Sequence, residues 1–226
     1  MQKSKIYLGN VKTIIWDCDN TIWIHRKDEV QIVCRHLSIE PTEEFSKQYY
    51  EFFKDFNLYF SDKKVTVGKI IWLIKKNMPI LAEIGISAEV FYHIKIEMES
   101  SYLNEDALDA IKYLKSKNYR NIVLTDWMWD TQIRLLKKYG VLPYIDRVYT
   151  CDNQYLKKNP KTVSRIITPG KEISYLIVGD SIDSDITFAA NAGIKSMWFN
   201  PGNLENNSKY KPTMEISSLL ELCRVL

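Results

Sequence analysis

Asp17 and Asp19 stand one residue apart at the end of the apolar run Ile14-Ile15-Trp16. In an extended chain residues i and i+2 project to the same side, so both carboxylates lean into one crevice. Carboxylates that close repel unless a cation sits between them or one holds a proton. Further on, Ile122-Val123-Leu124 runs into Thr125-Asp126, and Leu176-Ile177-Val178 runs into Gly179-Asp180-Ser181-Ile182-Asp183-Ser184-Asp185. Between these two stretches lies the basic segment Lys157-Lys158-Asn159-Pro160-Lys161. Carboxylate oxygens suit Mg²⁺, which is commonly held by one or two carboxylates plus phosphate and water. A carboxylate can attack phosphorus. A second carboxyl can protonate the departing alkoxide and later take a proton from water. A hydroxyl and a lysine supply the charge neutralisation and positioning that phosphoryl transfer needs.

These residues are useful only if the chain brings them to one place, and the surrounding pattern says how. From Asn104 onward, helical and extended segments alternate. Asp106–Lys117 is amphipathic, Asn121–Thr125 reads as a strand, and Thr131–Tyr139 reads as a helix ended by Gly140. Arg147–Thr150 is the next strand and Lys161–Ile167 the next helix. Tyr175–Val178 is a strand, Asp185–Ala192 a helix ended by Gly193, and Ser196–Phe199 a strand. Thr213–Ile216 and Ser217–Leu226 complete the series. Such alternation predicts an α/β fold, a Rossmann-like parallel sheet with helices on both faces. In sheets of this kind ligands bind beyond the carboxyl ends of the strands, where the acids and Thr125 fall.

Asp28 to about Tyr102 has a different character. Glu29–His36, Thr42–Phe56, Thr66–Asn77 and Ser87–Glu99 show apolar residues at helical spacing, with Pro79 in a break. An all-helical insert is expected here, after a short extended flap at Ile22-Trp23-Ile24. The expected division is therefore 1–22 with 103–226 as an α/β core, and 23–102 as flap and helical domain. Tyr49, Tyr50, Phe52, Phe53, Phe56, Tyr59 and Phe60 make this insert unusually aromatic. Most are expected in its core, and a minority would suit the lining of a small-molecule pocket.

The chain has 226 residues, 46% hydrophobic and 26% charged, enough to bury a substantial core. The net charge is +3, and the lysines are scattered as pairs such as Lys63-Lys64, Lys75-Lys76 and Lys137-Lys138. A nucleic-acid surface would gather them on one face, so no nucleic-acid partner is expected. No apolar run approaches the roughly 18 residues of a membrane span, and no signal-type segment opens the sequence. A cytoplasmic location and no membrane partner are expected by default. Cys18, Cys34, Cys151 and Cys223 lack ligand or disulfide spacing and read as reduced thiols. Cys18 lies between the two acids, but its thiol would point away from both. His25, His36 and His93 are isolated and do not read as zinc ligands.

The set of motifs, in order, resembles the haloacid dehalogenase superfamily, phosphatase type. Its first motif, D-x-D-x-T, is met by Asp17, Asp19 and Thr21; its second, a hydroxyl closing a strand, by Thr125. The third is a lysine, and the fourth, G-D-x-x-x-x-D, is met by Gly179, Asp180 and Asp185. Ala189-Ala190-Asn191-Ala192-Gly193 is similar to the family's alanine-rich helix, and the insert sits where many members carry a helical cap. The resemblance implies that Asp17 is the nucleophile and gives an oxygen to Mg²⁺. It implies that Asp19 is the general acid and base, with its carbonyl on the metal, and that Asp180 completes the metal site. Thr125 and the N–H of Asp126 would hold the phosphoryl group. Aligning the third motif on Pro160 gives Lys157 as the neutralising lysine, with Lys158 the alternative; Asp185 and Lys158 would otherwise stand behind the reacting groups. The implied activity is Mg²⁺-dependent hydrolysis of a small phosphorylated metabolite through an aspartyl-phosphate. Phosphomutase, metal-independent 2-haloacid dehalogenase and a non-catalytic binding module are the alternatives.

Overall fold

Ile14, Ile15 and Trp16 have no accessible surface in the folded chain. Full burial of residues such as Ile14 and Ile15 contributes about 1.5–3 kcal/mol each relative to exposure. Strands buried on both faces read as continuous apolar runs, and this run forms the central strand of a parallel sheet. The computed structural model describes residues 8–59, 66–83, 85, 87, 101–151, 158 and 163–226. The expected helix Ser87–Glu99 lies almost wholly outside the described residues, as does Lys157.

In chain order the elements are β1 (Thr13–Trp16), β2 (Trp23–His25), α1 (Glu29–Leu37), α2 (Glu43–Tyr59), α3 (Val67–Asn77) and α4 (Ile80–Glu83). They continue with β3 (Ser101–Leu103), α5 (Ala107–Ser116), β4 (Arg120–Leu124), α6 (Trp129–Lys138), β5 (Arg147–Tyr149) and α7 (Val163–Ile166). The last are β6 (Tyr175–Gly179), α8 (Thr187–Ala192), β7 (Lys195–Phe199), β8 (Met214–Ile216) and α9 (Leu222–Val225). The chain forms two compact units, Met1–Ile24 with Leu103–Leu226, and His25–Tyr102. The strands β2 and β3, through which it passes from one unit to the other and back, pair as a two-stranded sheet.

In the first unit six parallel strands lie in the order β5-β4-β1-β6-β7-β8. Side chains alternate across each strand, which divides the core in two. Ile14, Trp16, Val123, Leu176 and Val178 pack with Ala107, Ile111 and Leu114 of α5 and with Leu222 of α9. Ile15, Ile122, Leu124 and Ile177 pack with Ile166 of α7 and with Phe188, Ala189 and Ala192 of α8 on the opposite face. The expected sheet with helices on both faces is observed. Buried polar groups on β1 and β4 are satisfied: Trp16 Nε1 donates to Asn121 Oδ1 at 3.1 Å, and Asn121 Nδ2 donates to the carbonyls of Ile111 and Tyr144.

The chain crosses from β1 to neighbours on both sides, so the crevice beyond β1, β4 and β6 is the sheet's switch point. Register places Trp16 beside both Val123 and Val178. Asp17, Thr125 and Asp180 therefore emerge at one end of three adjacent strands.

Apart from the strand ends at His25 and Ser101–Tyr102, the regular elements of the second unit are helices among its described residues. In α2 the buried Phe45, Tyr49, Phe52 and Phe56 fall on one stripe, as do Ile70, Leu73 and Ile74 in α3. Thr66 caps α3 by accepting from the Lys69 N–H. Tyr50 is 60% exposed, so it belongs to neither the stripe nor the core. The side chain of Tyr59, and Phe60 altogether, lie outside the described residues.

One boundary differs from expectation in a way that matters. The segment read as a helix from Asp185 to Ala192 instead begins with a π-helical turn, Ile182–Ile186, and only Thr187–Ala192 is α-helical. A π turn inserts a residue into the helical repeat, and it turns Asp185 inward, where it has no accessible surface. Gly140 and Gly193 end their helices at φ of 67° and 66°, as a left-handed cap requires.

Candidate active site

The turn after β1 starts the site. The carbonyl of Cys18 accepts from the N–H groups of Thr21, Ile22 and Trp23, and Asn20 bridges the bend at φ 60°. Asn tolerates this left-handed conformation better than most side chains. The turn leaves Asp17 buried, with its N–H donating to the Val178 carbonyl at 2.9 Å. Cys18 points the other way into the core and is a free thiol. Burial and the charges of Asp17 and Asp19 push that thiol well above its ordinary value. Such a thiol is a poor nucleophile.

Lys158 Nζ donates to Asp17 Oδ1 and lies 2.7 Å from Asp185 Oδ1. Its side chain is 3% exposed. Burial alone would lower its pKa, but the carboxylates of Asp17, Asp185 and Asp126 outweigh that and hold the ammonium charged. Asp126 anchors the lysine from behind: its Oδ1 accepts from the Lys158 N–H at 2.9 Å and its Oδ2 from Ser184 Oγ at 3.1 Å. One carboxylate thus ties Lys158 to the turn that carries Asp185. Thr125 is fully buried; its Oγ1 accepts from the Trp127 N–H and lies 3.5 Å from Asp19 Oδ2.

Carboxylate oxygens of Asp17, Asp180 and Asp185 lie within 4.8 Å of one another. Burial is the main reason Asp17 sits well above the usual carboxylate range; Lys158 opposes it, and Asp185, Asp180 and Asp19 add to it. Asp180 is pushed up to about 7, chiefly by burial and then by Asp185. Three clustered, desolvated carboxylates facing the Lys158 ammonium leave negative charge uncompensated. The donor set, all hard oxygens, fits a divalent cation such as Mg²⁺. Asp17 and Asp180 were expected as ligands from the sequence; Asp185, expected behind them, shares the same cluster.

Several contacts had no signal in the sequence. Gln132, in the first turn of α6, donates from Nε2 to Asp19 Oδ2 at 3.0 Å, and Trp23 Nε1 donates to Asp19 Oδ1 at 3.1 Å. The carboxylate role of Asp126 was likewise hidden, because the sequence suggested its N–H alone. Asp183 is exposed.

Acids and a hydroxyl gathered beyond adjacent strand ends of a parallel sheet define a Rossmann-like α/β protein with its site at the switch point. The chain belongs to the haloacid dehalogenase-like hydrolase family, whose model matches residues 11–193. The pyrimidine 5′-nucleotidase PynA of Streptococcus pneumoniae (strain ATCC BAA-255 / R6) is 25% identical over 185 residues, covering 72% of this chain and 78% of that one. YfnB of Bacillus subtilis is 22% identical in its magnesium-bound crystal structure, with a TM-score of 0.72 over 96% of this chain and 98% of that one. A 2-haloacid dehalogenase from Pseudomonas syringae pv. Tomato DC3000 gives a TM-score of 0.66 at 18% identity, over 95% and 97% of the two chains. These structures share the fold. Among the described residues no helix is long and apolar enough to cross a membrane.

Proposed function

We propose that this hydrolase is a Mg²⁺-dependent phosphatase acting on a small phosphate monoester. The observation that carries the reading is the cluster of Asp17, Asp180 and Asp185 beside Lys158. A dehalogenase needs a nucleophilic carboxylate but has no use for a cation site or a second acid.

Asp17 attacks phosphorus with a carboxylate oxygen, forming an aspartyl-phosphate as the ester O–P bond breaks. Asp19 gives its proton to the departing alkoxide. A water then loses a proton to Asp19 and attacks the phosphorus, releasing phosphate and restoring Asp17. Lys158 neutralises Asp17 and the incoming phosphate, the role the sequence favoured for Lys157. Thr125 Oγ and the Asp126 N–H position the phosphoryl oxygens. Asp17, Asp180 and the Asp19 carbonyl would hold Mg²⁺, with Asp185 close by. The ion supplies positive charge against the carboxylates and the phosphoryl group.

PynA makes pyrimidine nucleoside 5′-monophosphates the first esters to assay, beside p-nitrophenyl phosphate and a broad panel of phosphorylated metabolites. Phosphate release that requires Mg²⁺ and disappears in Asp17→Asn is the expected result. Chloride release from 2-chloropropionate without metal, and no turnover of any ester, would sink the reading in favour of the dehalogenase.

A further inference from the structure

Asp19 is gripped at both carboxylate oxygens by two buried side chains, one of which, Trp23, also packs in the sheet core. Oδ1 accepts from the indole N–H of Trp23, and Oδ2 from the amide of Gln132, with the Thr125 hydroxyl at 3.5 Å. Both Trp23 and Gln132 have no accessible surface. Toward an ionised Asp19, which only accepts, the Gln132 amide presents its NH₂. That orientation leaves Gln132 Oε1 buried without a hydrogen-bond partner among the described residues. A buried carbonyl left unpaired is destabilising. Methionine, of similar length and without polar atoms to satisfy, would serve the fold as well or better. What glutamine does at this position is orient Asp19.

We infer that Gln132 and Trp23 are positioning residues that fix the Asp19 carboxyl group for proton transfer to the leaving oxygen. The inference rests on the phosphatase reading above. Asp19 is bound to the turn after β1, which alone does not set its side-chain rotamer. The indole, four residues further along the chain, and the amide, from α6, hold it from two sides. Loss of either donor lets the carboxyl group rotate, and general acid catalysis is acutely sensitive to such misplacement.

The test uses the different need of two leaving groups for a proton. An alkoxide must be protonated as it departs, whereas p-nitrophenolate leaves without help. The ratio kcat/KM reports the first phosphoryl transfer and so isolates this step from the later hydrolysis. Gln132→Met and Trp23→Phe are compared with the unaltered protein on p-nitrophenyl phosphate and on the fastest alkyl ester of the panel. We expect kcat/KM for the alkyl ester to fall about 10–100-fold, with the aryl ester nearly unaffected. The melting temperature of Gln132→Met should equal or exceed that of the unaltered protein. Equal losses on both esters, or no loss on either, overturn the positioning role. Should Trp23→Phe not fold, Gln132→Met decides alone. Failure of the unaltered protein to hydrolyse any ester overturns the phosphatase reading and this inference with it, and is seen before a variant is made.

Discussion

A β-carbon on Gly179 would lie 2.1 Å from Asp185 Oδ2. No β-carbon approaches a non-bonded atom that closely, so the carboxylate of Asp185 occupies the space that the missing side chain leaves. Asp185 is itself pinned, accepting from the Ser181 N–H at 3.0 Å and pairing with Lys158. Gly179→Ala must therefore push Asp185 out of the cluster. We expect a stability loss of about 1–3 kcal/mol from overpacking, measured by urea denaturation, together with weakened Mg²⁺ binding by calorimetry.

Lys158 and Lys157 are separable by mutation. Lys158→Met removes the buried ammonium from Asp17 and Asp185 and leaves their charges uncompensated. Breaking a buried pair from one side costs about 3–5 kcal/mol. The loss should be visible in metal-free protein, with phosphatase turnover abolished. Lys157→Met should keep both stability and turnover. The opposite ranking in a steady-state assay would return the role to Lys157.

Metal should stabilise the fold as well as support turnover. A ligand that binds the folded chain alone adds RT ln(1 + [L]/Kd), about 2.7 kcal/mol at a hundredfold excess over Kd. Differential scanning calorimetry should show a higher Tm with saturating Mg²⁺ than in EDTA. The increment should vanish in Asp180→Ala, because that change removes an oxygen donor from the cluster.

Ser218 and Glu221 form a capping box at the start of the helical turn Leu219–Glu221, and it gives a pH prediction away from the site. Partial burial tends to raise the pKa of Glu221, but hydrogen bonds from the Ser217 and Ser218 N–H groups and the Ser217 hydroxyl hold it below the ordinary 4.5. A carboxyl group whose folded pKa is depressed adds stability above its unfolded pKa and loses it as the pH falls through the folded value. Glu221→Gln should lower the melting temperature at pH 7, by less than about 1 kcal/mol equivalent for a partly exposed cap. The gap between the two proteins should close below pH 4.5 in melts run across pH.

The central strands were legible because the physics that makes them is local. A strand covered on both faces needs an unbroken apolar run, and Ile14-Ile15-Trp16, Ile122-Val123-Leu124 and Leu176-Ile177-Val178 supply it. The first two runs stop at Asp17 and Thr125 and the third, after Gly179, at Asp180, and the parallel sheet puts those stops at one end. Asp17, Asp19, Thr125 and Asp180 could therefore be read from order and spacing alone, as could the helix ends at Gly140 and Gly193.

What the sequence by itself determined is the α/β class, the apolar core of the sheet and the residues that stand at its strand ends. Only the tertiary structure decided that Lys158 meets Asp17 across 141 residues, that Asp185 turns inward on a π turn, and that Gln132 and Trp23 hold Asp19. Two adjacent lysines carry no periodicity to say which one meets Asp17, and a glutamine in a helix carries no mark of its partner. Those choices are made by the packing of segments far apart in sequence, which no local pattern of residues records.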